Sequence, residues 1–84
     1  MKVTSAEVEQ RVRAIIAKNL DVPLQDVRPE SDFERDFKAD SLTLTELALA
    51  LEEEFDLDIP DGEVARIKSV QVAVDYIASR VSAT

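Results

Sequence analysis

The 84 residues, 45% hydrophobic and 33% charged, are expected to form one soluble domain, residues 1–84, built around a single simple core. With no Cys and no His, the chain has no disulfide framework, no Ser–His or Cys–His nucleophile and none of the usual zinc ligand sets. Its net charge of −8 disfavours nucleic acid and anionic membranes and favours partners with basic patches.

That charge is unevenly placed. Residues 30–63 carry thirteen acidic and two basic side chains, a net −11, while the flanking segments are slightly basic. No apolar run reaches the length of a membrane span, and the opening MKVTSAEVEQ lacks the apolar stretch of a signal peptide. A monomer in the cytoplasm is the default expectation.

In chain order, the first helix is predicted over about residues 5–19. Thr4 and Glu7 make a capping box, Val3 and Val8 a hydrophobic staple, and Val8, Val12, Ile15 and Ile16 one apolar stripe. Residues 20–40 form a long first loop, in which Leu24, Val27, Phe33 and Phe37 are apolar enough to tie it to a core. Ser31 and Glu34 are spaced to cap one short turn. Residues 41–55 make the most informative helix. At about 100° per residue, Leu44, Leu47, Ala48, Leu51 and Phe55 share the core face. Leu42, Glu46, Leu49 and Glu53 fall opposite, a paired apolar and acidic strip that reads as a docking surface. A loop over 56–62 leads to a short helical turn near 62–67. Ser69 caps a last helix with Val70, Ala73, Val74, Ile77 and Val81 on one face. The expected fold class is all-α: a four-helix bundle of three main helices and one short helix.

Few residues invite chemistry. The Glu52-Glu53-Glu54 run reads as a solvated face, and no pocket-bound acid–base pair stands out. The Asp-rich loop fails as a calcium-binding EF-hand, because Leu57 occupies the first ligand position and Lys68 the last. No metal site is expected. Ser41, at the start of a helix behind a long loop, offers an exposed hydroxyl without a neighbouring base. A phosphate attached there would meet backbone N–H groups and the positive end of the helix dipole.

From Ser31 to Ile77 the chain resembles acyl carrier proteins of the dissociated fatty-acid and polyketide type. The resemblance is carried by Phe33, Asp36, Ala39-Asp40-Ser41-Leu42, Glu46-Leu47, Ala50 through Phe55, Ile59-Pro60-Asp61, Ile67, Val70, Ala73 and Tyr76-Ile77. It implies that Ser41, flanked by Asp40 and Leu42, is the attachment point of a 4'-phosphopantetheine arm. The arm would be transferred from coenzyme A by a phosphopantetheinyl transferase, and its terminal thiol would hold an acyl group as a thioester. Glu46, Leu49 and Glu53, together with Asp40 and Leu42, would then face acyl-processing enzymes through their basic docking patches. The chain itself would not be an enzyme. An aminoacyl, D-alanyl or peptidyl carrier using the same serine is the nearest alternative, followed by an unmodified interaction module. Where the family commonly reads D-L-G-A-D-S-L-D, this chain has Lys38 in place of the glycine and Thr43 in place of the last acid. Those departures imply a specialised carrier serving a dedicated pathway.

Overall fold

The computed structural model describes residues 5–81. Three long helices form its frame: α1 (Ser5–Leu20), α3 (Ser41–Phe55) and α5 (Val70–Val81). Two short helices, α2 (Phe33–Phe37) and α4 (Asp61–Val64), and a 3-10 turn over Leu24–Asp26 lie in the connections. The all-α class and the three main helices are as expected. The long connection carries a second short helix, α2, beyond the four expected. Thr4 and Val3, half of the expected capping box and staple, lie outside the described residues.

The core is assembled from one stripe of each long helix. Val8, Val12 and Ile16 of α1 meet Leu47, Ala48 and Leu51 of α3 and Val70, Ala73, Val74 and Ile77 of α5, all buried. α1 packs against both of the other long helices. Val27, Phe33, Ala39, Ile59 and Ile67 plug the core from the connections. Leu24 does not join them: it is 50% exposed, because its segment is held by its backbone and not by its side chain. The Arg13 guanidinium donates to the carbonyls of Val27, at 2.8 Å, and Leu24, at 3.3 Å.

The rest of the long connection is stitched to the start of α5. The Phe33 amide donates to the Lys68 carbonyl, and the Val70 amide to the Ser31 carbonyl, each at 3.0 Å, around an antiparallel bridge between Asp32 and Ser69. The Gln71 amide adds a bond to the Pro29 carbonyl at 2.9 Å. Ser31 is buried within this knot, its hydroxyl accepting from the Arg28 amide and donating to the Asp26 carbonyl. The cap of α2 is therefore Asp32 and not Ser31. One Asp32 carboxylate oxygen accepts from the amides of Glu34 and Arg35. Ser69 does cap α5, its hydroxyl oxygen accepting from the Val72 amide.

Three helices end on a residue with left-handed backbone: Asp21 after α1, Lys38 after α2 and Asp56 after α3. After α1 and α3, the next amide returns to a carbonyl five residues earlier, Val22 to Ala17 and Leu57 to Glu52, the pattern of a Schellman cap. Asp tolerates this backbone better than most residues, and Lys does not. The single glycine, Gly62, stands in α4 and serves none of these ends. Lys38, at φ 54°, thus holds a conformation that costs a side chain about 1 kcal/mol. Lys38→Gly should raise the unfolding free energy by about 0.5–1 kcal/mol, read from urea melts.

Candidate functional site

The site begins where α2 gives way to α3. The amides of Lys38 and Ala39 both return to the Phe33 carbonyl, which closes α2 and folds the chain back. Ala39 is buried in the core, and Asp40 and Ser41 are exposed. The chain therefore passes from a buried anchor to the surface within two residues. Asp40 then caps α3: its extended backbone sets the turn, and its carboxylate accepts from the Thr43 amide at 2.9 Å. That bond, reinforced by the Thr43 side chain, holds the Asp40 carboxyl below its ordinary pKa of 3.8.

Ser41 is the first residue of α3 and fully on its outer turn. Its carbonyl accepts from the Thr45 hydroxyl, and among the described residues no side chain hydrogen-bonds its own hydroxyl. Asp40, Ser41 and Leu42 are together at the helix start, with Leu42 68% exposed. Glu46, Leu49 and Glu53 continue down the outer face, all exposed, so the strip expected from periodicity is present in space.

The two flanks of α3 differ. Glu46, Leu49 and Glu53 border a shallow groove of about 620 Å³ shared with Ile15, Lys18 and Asn19 of α1. Ser41 and Leu44 instead border a cleft of about 580 Å³ whose other walls are α2 and the link between α4 and α5. Arg35 and Lys68 line that second cleft, together with Asp32 and Glu34. Sequence reasoning places neither cation at the site, and meets Lys68 only as the residue that ends the failed calcium loop. One signal was available: Arg35 and Lys38 are the two basic residues of the acidic segment 30–63.

Two expectations change. At the start of α3, Asp40 takes one of the donors expected to meet a phosphate, the Thr43 amide. Glu52 is not part of a solvated run either: its carboxylate accepts from the Ile59 amide at 2.7 Å and pins the loop after α3. Among the described residues, no cluster of acids is arranged to hold a metal ion, and no helix is long and apolar enough to cross a membrane.

These features fit a covalently attached, hydrophilic arm. Ser41 is exposed, its flanks are held by backbone and cap hydrogen bonds, and a polar cleft lies beside it. A family model described as "phosphopantetheine attachment site" matches residues 10–77, a span that includes α3 and both flanking clefts.

Because the Asp40 pKa is lower folded than unfolded, its contribution to stability is present above pH 3.8 and is lost as pH falls through the folded value. Asp40→Ala should therefore melt at a lower temperature than wild type at pH 7. The gap should narrow as the pH of thermal melts is taken below about 3.8.

Proposed function

The chain belongs to the phosphopantetheine attachment site family, whose domains are carriers of a covalently bound 4'-phosphopantetheine, and on that premise we propose that Ser41 bears the arm and that the cargo is an acyl group. The observation that supports this is the exposed Ser41 hydroxyl at the first turn of α3, between the buried Ala39 and the outward Leu42. When bound, the arm supplies a thiol that holds cargo as a thioester, chemistry that a chain without Cys lacks.

Attachment exchanges the Ser41 Oγ–H bond for an Oγ–P bond. The pyrophosphate linkage of coenzyme A breaks, 3',5'-ADP leaves, and the hydroxyl proton passes to a base. Asp40 is a poor base for that proton, because the Thr43 amide stabilises its carboxylate. The base therefore belongs to the phosphopantetheinyl transferase. Leu42, Glu46, Leu49 and Glu53 are the surface on which the transferase and the later acyl-processing enzymes dock. The two exposed leucines supply apolar contact, and the acids steer basic patches into place. The acidic α3 face and the Asp40-Ser41-Leu42 context favour an acyl over a peptidyl carrier, and the choice between acyl and D-alanyl cargo rests on the loading test. Lys38 and Thr43, at the ends of the attachment segment, suit a specialised carrier with its own set of enzymes.

Incubation with coenzyme A and a broad-range transferase should add the mass of one phosphopantetheine to the wild-type chain and none to Ser41→Ala. No gain on wild type, or an equal gain on the variant, removes the assignment. Loading the arm with D-alanine by an adenylating enzyme, in preference to acyl donors, would move the chain to the aminoacyl carriers.

The docking face has its own test. Glu46→Lys with Glu53→Lys should lower the transferase kcat/KM about tenfold at low ionic strength, with a smaller loss at high salt. Leu49→Ala should lower it in a manner insensitive to salt.

A further inference from the structure

Resting on the assignment of Ser41 as the attachment point, we propose that the cleft beside it is a binding site for a short cargo ending in a carboxylate, with Arg35 and Lys68 as the hydrogen-bond donors. The cargo would lie outside the bundle, against α2 and the α4–α5 link, and not between the helices.

Space is the first reason. The cleft beside Ser41 encloses about 580 Å³ and is open to solvent. The apolar space beneath it, walled by Leu44, Leu47, Leu51, Val64 and Ile67, amounts to only about 10 Å³. That is no more than one water molecule requires. Entry of an alkyl chain would force well-packed side chains apart, a rearrangement that cargo lying in the open cleft does not require.

Charge is the second reason. Arg35 is one of the two cations in a segment with thirteen acids, and the fold places it on the same cleft as Lys68, far along the chain. The Arg35 side chain is 78% exposed, and its ion pair with Asp36 is long, at 3.9 Å. Its planar fork of donors is thus available for a carboxylate. Two acids line the same cleft and oppose this. Asp32 is committed to the α2 cap, one carboxylate oxygen taking two amides. Its charge is retained and lies in the field of both cations, and Glu34 adds a second acid, so the site rests on the directed donors of Arg35 and Lys68 and not on net charge. The net −8 of the whole chain also repels an anion, but at physiological ionic strength exposed charges beyond about 8 Å are largely screened. Direct charge-assisted contacts act inside that distance. A tether rooted on the cleft's own wall at Ser41 raises the local concentration of its cargo, so weak contacts suffice.

The test compares chains loaded with succinyl-, hexanoyl- and octanoyl-pantetheine, succinyl and hexanoyl being close in size. Intact mass first confirms loading at Ser41. Succinyl should shift the amide resonances of Arg35 and Lys68, and its thioester should be cleaved by hydroxylamine about threefold more slowly than free succinyl-pantetheine, with no such slowing of hexanoyl relative to its own free thioester. Both effects should vanish in Arg35→Gln/Lys68→Gln and at high salt. Succinyl cleavage as fast as that of the free thioester, with no shifts at these residues, would overturn the site while leaving Ser41 as the attachment point. So would an octanoyl group that shifts Leu47, Leu51 and Val64 and is the best protected, since it would place cargo inside the bundle. Absence of any mass gain would overturn the Ser41 assignment and this site together.

Discussion

The backbone pairing of Ser31 and Phe33 with Lys68 and Val70 is the constraint on which the site depends. A connection as long as 20–40 would ordinarily wander, at a conformational cost of about 1 kcal/mol for each residue later fixed. Here two hydrogen bonds at 3.0 Å fasten its middle to the entrance of α5, and Arg13 fastens its beginning to α1. Burial of Phe33 then locks the register, and its carbonyl collects the amides of Lys38 and Ala39. By that point the chain has no freedom left in where it begins α3. Ser41 is delivered to one place on the surface, at the edge of the cleft that the same pairing creates.

From this start α3 serves three purposes with one periodicity. Its inner face supplies Leu47, Ala48 and Leu51 to the core. Its outer face carries Leu42, Glu46, Leu49 and Glu53 in contact with solvent. Its two flanks border unlike surfaces, an acidic groove toward α1 and a mixed-charge cleft toward α4. A helix turning about 100° per residue separates the core face from the outer face, while residues at the margins are shared: Glu46, Leu49 and Glu53 also border the groove, and Leu44 borders both the cleft and the core. An enzyme docked on the outer face need not cover the cleft where the cargo would rest.

Much of this was legible in the residue pattern. The first helix was expected over 5–19 and runs to Leu20, while the central helix has the expected ends. Ser69 caps α5 as its position suggested. The misreadings have a common cause. Ser31 was taken for a cap on spacing alone, and burial turned its hydroxyl to hold the loop while Asp32 took the cap. Leu24 was assigned to the core on hydrophobicity, although its segment is secured by the Arg13 guanidinium through carbonyls that no pattern reveals. Glu52 looked like one acid in a solvated run, and only the return of the chain at Ile59 gives it a partner. Each is a polar contact between residues whose meeting depends on the folded path.

The attachment segment shows the division most clearly. Residue spacing and composition are enough to show that a serine opens an amphipathic helix, that this helix carries an acidic outer strip, and that the chain has neither Cys nor His. Those are properties of local spacing and composition, and they hold wherever the helix lies. Only the tertiary structure decided what stands beside Ser41. It shows Asp40 spending its carboxylate on the helix cap, and it brings Arg35 and Lys68 to one cleft through an antiparallel bridge between distant segments. Periodicity places a residue on the face of an element, but long-range backbone pairing determines which faces meet.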